Sequence, residues 1–352
     1  MRRYKRTLLA VALATTVVTG TAGWASGSAQ RAVTGPPPGT GAWVEDRSLG
    51  RELPHPATAD PRQVAAFFGG LSAGQREGLA QRHPLVVGNL DGVPVSLRYR
   101  ANSHAVRGTA FERLAASGRQ ILAFDPRGRG QVAEVYGDLE GASTVSVIVP
   151  GADIDAGTFD REDNPYGTPA GMAKSLRTAA GKGSAVIAWT GYTTPLGVGL
   201  GAATGELAEA GAVRLTRFTQ GLDAVGTPAA KLFCHSYGSV VCGLAAATGE
   251  LTASDVVVLG SPGVRASSAK ELNTRVWAAK SASDWISKVP NVHFLGLGHG
   301  SDPTAPSFGA HRLPAHQARG HSGYFAPGTD SLHAFAAIAK ARPVAAATGG
   351  VR

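Results

Sequence analysis

Beyond residue 118 the chain alternates short apolar runs with stretches of helical texture. The runs are "QILAF" (120–124), "VAEVY" (132–136), "TVSVIV" (144–149), "AVIAW" (185–189), "KLFC" (231–234), "DVVVL" (255–259), "RVWAA" (275–279) and "VHFLGL" (292–297). Between them, "AATGELAEAGAVRLTRFTQGLDAV" and "YGSVVCGLAAATGEL" read as helices. Continuous Val-, Ile- and Ala-rich runs separated by helices predict a mostly parallel sheet covered on both faces. The preceding part differs in texture. "DPRQVAAFFGG", "SAGQREGLAQRHP" and "VPVSLRYRANSHAV" predict short helices, interrupted at Gly69-Gly70 and at the turn "GNLDG". "TGPPPGTGAW" (34–43) has no period and reads as linker. The expected organisation is a leader (1–29), a Pro/Gly-rich linker (30–59), an N-terminal helical segment (60–118), an α/β catalytic domain (119–340) and a C-terminal tail (341–352).

Composition narrows the class. Of 352 residues, 43% are hydrophobic and 17% charged, which suits one large globular domain with added elements. The formal charge is +9, but "MRRYKR" holds four of the positives and the first 29 residues hold no acid, leaving +5 spread over the remainder. No concentrated basic face with interleaved aromatics occurs, so nucleic acid is not an expected partner. The basic start followed by "TLLAVALATTVVTGTAG" reads as an export signal ending after Ala25 or Ala29, with an uncleaved anchor as the alternative. No later stretch reaches 18 apolar residues, so no stable membrane span is expected once the leader is removed. The protein is expected to be secreted.

Two serines compete as a nucleophile. Ser72 has the spelling G-x-S-x-G, from Gly70 to Gly74, but no apolar strand leads into it. Ser72-x-x-Gln75 instead fits a capping box opening a helix. Ser236, in Cys234-His235-Ser236-Tyr237-Gly238, lies between a strand and a helix, on the sharp turn that exposes a nucleophile above a sheet. A serine hydroxyl needs a histidine to take its proton and a carboxylate to orient that histidine. In the order Ser, acid, His, the candidates are Asp284 after a predicted strand and His321 in "GHSGYF". Asp302 is the second choice of acid, and His333 lies inside a helix. Oxyanion donors are expected from the Tyr237 N–H and from the loop "PGADID", where Ala152 N–H is preferred and Asp153 is next.

Several strings in order resemble one family: "HPLVVGNLDGVP", "RQILAFDPRGRG", "IVPGADID", "AVIAWTGYTTP", "CHSYGSVVCG", "LGSPGV", "FLGLGHGSDPTAPSFGA" and "HSGYF". They are similar to the actinobacterial secreted α/β-hydrolases first catalogued as a domain of unknown function, from about Asp60 to Ile338. The resemblance implies an α/β-hydrolase fold and a Ser-Asp-His triad that maps onto Ser236, Asp284 and His321. In that family the elbow usually begins with glycine, and Cys234 departs from it. The expected activity is a serine hydrolase cleaving a carboxylic ester or related acyl bond in a small-molecule or lipid-like substrate, without a cofactor. Acyl transfer on the same triad is an alternative.

A different class of reading is a metal site, since His299, Asp302, His311, His316 and His321 crowd together. Their spacings match no helical zinc motif, and Gly and Pro interrupt the segment. A non-catalytic binding protein on a hydrolase fold is the further alternative. The glycines of "PLGVGLGAATG" follow no strand with a phosphate fingerprint and read as a loop near the mouth of the site. Cys234 and Cys242, the two cysteines, come out at similar depth on the strand and on the helix. A disulfide and a pair of buried thiols both remain open.

Overall fold

The computed structural model describes residues 30–288, 293–294 and 297–341. The leader expected at 1–29 and the tail from 342 lie outside these residues. The N-terminal body holds α1 (Thr40–Glu45), α2 (Pro61–Gly69), α3 (Ala73–Arg82), α4 (Pro84–Asn89) and α5 (Val95–Ala105). Asp60 caps α2 by accepting from the Arg62 and Gln63 N–H groups, and Pro61 occupies the first helical position, where it lacks no needed donor. Pro84 likewise restarts the chain as α4 after α3 stops at His83, a division the sequence reading had not drawn. The stretch read as linker is packed instead. Trp43 is fully buried beside Val64, Phe68, Leu79 and Val87, and its indole N–H donates to Pro54 O at 2.8 Å. One large aromatic overrides the local Pro/Gly signal.

The sheet follows, with β1 (Ile121–Asp125), β2 (Gln131–Tyr136), β3 (Thr144–Val149), α6 (Pro169–Ala180) and β4 (Ser184–Thr190). Next come α7 (Leu200–Thr204), α8 (Glu206–Ala224), β5 (Ala230–His235), α9 (Gly238–Ala247), β6 (Ala253–Leu259) and β7 (Arg275–Ala279). The chain closes with β8 (His293–Phe294), β9 (Leu297–Gly298), β10 (His311–Arg312) and α10 (Asp330–Lys340). The main sheet has the order β1-β2-β4-β3-β5-β6-β7-β10. Only the pairings of β2, with β1 and with β4, are antiparallel.

Alternation assigns the two faces. Val145, Val147 and Val149 of β3 join Leu232, Cys234, Val256 and Val258 in a core under α8 and α9. Ile148, Phe233, Val257 and Leu259 point the other way, into a core with Leu176 of α6 and Phe335 of α10. Every residue of β3, β4 and β5 is buried, as expected for strands covered on both sides.

The described residues of the run expected as a last strand, 292–297, are not in this sheet. Its described pieces, β8 and β9, pair with each other antiparallel, and β10 takes the edge beside β7. β10 is two exposed residues, too short and polar to show as an apolar run.

Candidate active site

The strand-to-helix turn after β5 is built around Ser236. Its φ is 55°, a left-handed conformation that a non-glycine residue adopts only when the surroundings enforce it. The Ser236 N–H donates to Leu259 O of β6 at 3.0 Å, and its own carbonyl accepts from Ser239 N at 2.9 Å. At Gly238 a Cβ would lie 2.4 Å from Val149 O and 2.6 Å from Pro150 O, so only glycine lets α9 start this close to the end of β3. Cys234 and Cys242 are both buried and form a disulfide, with Cα atoms 6.4 Å apart. Of the two states left open by the sequence, the structure has the bridge.

Asp284 and His321 meet beside this turn. The His321 ring Nδ1 lies 2.9 and 3.0 Å from the two oxygens of Asp284. Asp284 is 2% exposed and also accepts from the Tyr324 hydroxyl at 2.7 Å and the Ile286 N–H at 2.9 Å. Burial alone would raise its pKa; the hydrogen bonds from His321, Tyr324 and Ile286 outweigh burial and hold the carboxyl below its ordinary value. Both groups lie against Gly260, just past the end of β6 at φ +53°, where a Cβ would sit 2.9 Å from an Asp284 oxygen and 3.1 Å from the His321 ring. Leu259, which binds Ser236 N–H, immediately precedes it. Ser236 and His321 thus lie at one strand end. The hydrogen bonds among the described residues join His321 to Asp284 but not to Ser236 Oγ; such contacts are often long before substrate arrives.

The loop "PGADID" borders the same turn. A Cβ on Gly151 would lie 2.9 Å from Ser236 Oγ and 3.2 Å from Tyr237 N. Tyr192 OH donates to Pro150 O at 2.7 Å and fixes the loop's start. The Asp153 N–H donates to Pro195 O at 2.9 Å.

Three neighbours escaped the sequence reading. Tyr324 bridges Asp284 and the Ser281 N–H, and lies in the quoted string "HSGYF" three residues after His321. His235 donates through Nε2 to His321 O at 2.7 Å; burial pushes its pKa down to about 3, so it is neutral. Trp285, 43% exposed, lies with its ring 5.0 Å from that of His321.

The remaining candidates are elsewhere. Ser72 caps α3, with both halves of its capping box formed to Gln75. Asp302 pairs with Lys280 and holds a turn through Thr304. His311 stacks on Trp277, His299 binds Ala202 O, and His316 and His333 are exposed. No group of three or more side chains arranged to hold a metal occurs among the described residues.

Strand order and elbow together define an α/β-hydrolase fold. The chain is similar to the α/β-hydrolases in sequence as well: residues 125–294 match the family model described as "Alpha/beta hydrolase". An uncharacterized protein of Mycobacterium tuberculosis strain H37Rv is 26% identical over 383 residues, and its counterpart in strain CDC 1551 gives the same figures. Each match covers 85% of this chain, which spans 58% of the length of these relatives. Among solved structures, dienelactone hydrolase from Anabaena variabilis is similar at TM-score 0.38 and 16% identity, over 60% of this chain and 89% of that one. The thioesterase domain of the curacin biosynthetic pathway is similar at TM-score 0.38 and 10% identity, over 64% of this chain and all of its own, at 100%. No helix among the described residues is long and apolar enough to cross a membrane.

Proposed function

We propose that this protein is a serine hydrolase that cleaves a carboxylic ester or related acyl bond through an acyl-enzyme. The observation that carries this reading is the His321–Asp284 pair packed against Gly260, with Ser236 at positive φ hydrogen-bonded to Leu259, the residue just before it. In this reading Ser236 Oγ attacks the carbonyl carbon and His321 Nε2 takes its proton. Asp284 fixes the imidazole with Nδ1 protonated and stabilises the imidazolium that forms. The Tyr237 and Ala152 N–H groups receive the oxyanion. His321 then returns the proton to the leaving alcohol, and water repeats the sequence to release the acid. The exposed Trp285 ring beside His321 supports a substrate with an apolar acyl or alcohol part.

Export is part of the same proposal. The basic, then apolar N-terminus supports it, as does the Cys234–Cys242 disulfide, a feature of oxidising compartments. The test is fluorophosphonate labelling of the purified protein, followed by an ester panel of increasing acyl length. Labelling of wild type and none of Ser236→Ala is expected. Equal labelling of both would remove Ser236 from the role.

A further inference from the structure

A cavity of about 300 Å³ lies away from Ser236 and His321, where the ends of β1, β2 and β4 meet the flank of α8. Residues 33–37 and 56–57 of the N-terminal stretch roof it. Val33 N–H is held by Thr193 Oγ1 at 3.0 Å, and Thr34 O accepts from Arg127 at 3.0 Å, so this roof is tied to the sheet edge. The volume equals that of about ten waters at ~30 Å³ each, room for about ten non-hydrogen atoms.

Two features of its lining are incomplete without a ligand. The first is Gln131, 3% exposed, whose Nε2 and Oε1 both lack a partner. A buried carboxamide with neither donor nor acceptor satisfied is destabilising, and in native proteins it calls for a ligand or water. The second is charge. The two acids of the lining are taken, Asp91 by Arg98 at 3.4 Å and Asp125 by Arg127 at 2.6 Å. Arg214 and Arg217, adjacent along one side of α8, line the same space. Arg214 Nε donates to Gly191 O at 2.8 Å and an Arg217 Nη donates to Ala59 O at 3.0 Å. Neither has an ion pair among the described residues. Burial lowers the pKa of Arg214 despite the pull of Asp125 and Asp91. Trp189 and Phe218 supply an apolar wall.

We propose that this cavity binds a small organic acid bearing a hydroxyl group. The carboxylate is held by Arg214 and Arg217, matching the planar fork of the guanidinium. The hydroxyl accepts from Gln131 Nε2 and donates to Oε1, and the carbon body lies on Trp189 and Phe218. The site is separate from Ser236, and the inference does not depend on the hydrolytic reading.

The test uses the purified protein and four probes, 4-hydroxybenzoate, 3-hydroxybutyrate, benzoate and inorganic phosphate, by thermal shift and titration calorimetry at constant ionic strength. A hydroxy acid should bind, with its parent acid weaker by about tenfold or more, because the hydroxyl's partners are then left unpaired. Arg214→Gln should weaken binding by about tenfold or more. Gln131→Met should erase the preference for the hydroxy acid while raising the melting temperature of the free protein, since it removes two unpaired polar atoms. Should Arg214→Gln fail to fold, Arg217→Gln and Gln131→Met carry the test. The proposal is overturned if no acid shifts the midpoint beyond sodium chloride, if phosphate binds more tightly than every acid, or if these substitutions leave binding unchanged.

Discussion

Acidifying the protein below pH 6.5 should weaken it through one buried imidazole. His235 is 5% exposed, its Nε2–H donates to the His321 carbonyl, and its ring lies against those of His321 and Tyr324. Burial first, and then the nearness of His321, pushes its pKa down to about 3. A histidine in the unfolded chain titrates near 6.5. Between those two values the unfolded chain binds a proton that the folded protein refuses, so stability rises with pH and is lost on acidification. At about 1.36 kcal/mol per pH unit, going from pH 6.5 to 5 removes about 2 kcal/mol through this group alone. That is a large part of a domain stability of about 5–15 kcal/mol. His235→Gln keeps an N–H for the His321 carbonyl and removes the titration. Chemical denaturation followed by tryptophan fluorescence at pH 7, 6 and 5 reads the difference, because every other titration is common to both proteins. Wild type should lose about 2 kcal/mol more than the variant between pH 7 and 5. Parallel curves, within about 0.5 kcal/mol, would refute a neutral buried His235.

The other expectations separate the serines, the support of the acid and the bridge. Ser236→Ala should lower ester turnover on the order of a millionfold with folding intact, while Ser72→Ala keeps activity and loses about 1 kcal/mol of stability with its helix cap; the reverse pattern in an ester assay ends the elbow assignment. Tyr324→Phe should lower kcat about tenfold with KM nearly unchanged, since the lost hydrogen bond to Asp284 acts through His321. An unchanged kcat would make Tyr324 a packing residue only. Cys234→Ala with Cys242→Ala should cost about 2.5 kcal/mol, from the entropy of the small loop closed by a bridge with sequence separation 8. Equal unfolding midpoints with and without the bridge would count against that origin.

What was legible in the sequence follows from how each feature is made. β3, β4 and β5 show as apolar runs because both of their faces are buried, and the turn at Ser236 shows because strand and helix textures meet there. β10 does not show, because two exposed residues at an edge carry no pattern. α1 was hidden by its Pro and Gly neighbours, although Trp43 alone anchors it. The pairing of Asp284 with His321 rested on chain order and resemblance, whereas the hydroxyl of Tyr324 and the imidazole of His235 act across 40 and 86 residues of sequence. Side chains that complete a site from such distances leave no local signature. The same holds for Gln131, an ordinary polar strand residue until the fold buries it.

Cys234 shows how a departure from a family pattern can be accommodated by the surrounding structure. A glycine two residues before the nucleophile lets the helix after it pack close, and a side chain there must find room. Here the room is found by bonding. The Cys234 side chain points into the core under α9 and ends on Cys242 of that helix, one turn beyond Gly238. Close approach is retained at Gly238 and Gly151, where backbone and Ser236 leave no space for a Cβ. The left-handed backbone at Ser236 costs on the order of 1–3 kcal/mol. The bridge, at about 2.5 kcal/mol, is of the same size and joins the two elements that hold that residue. Strain at the serine and the staple beside it therefore act on one turn. Reduction should disturb the geometry of Ser236 before it unfolds the sheet, because β5 is still paired on both sides by β3 and β6.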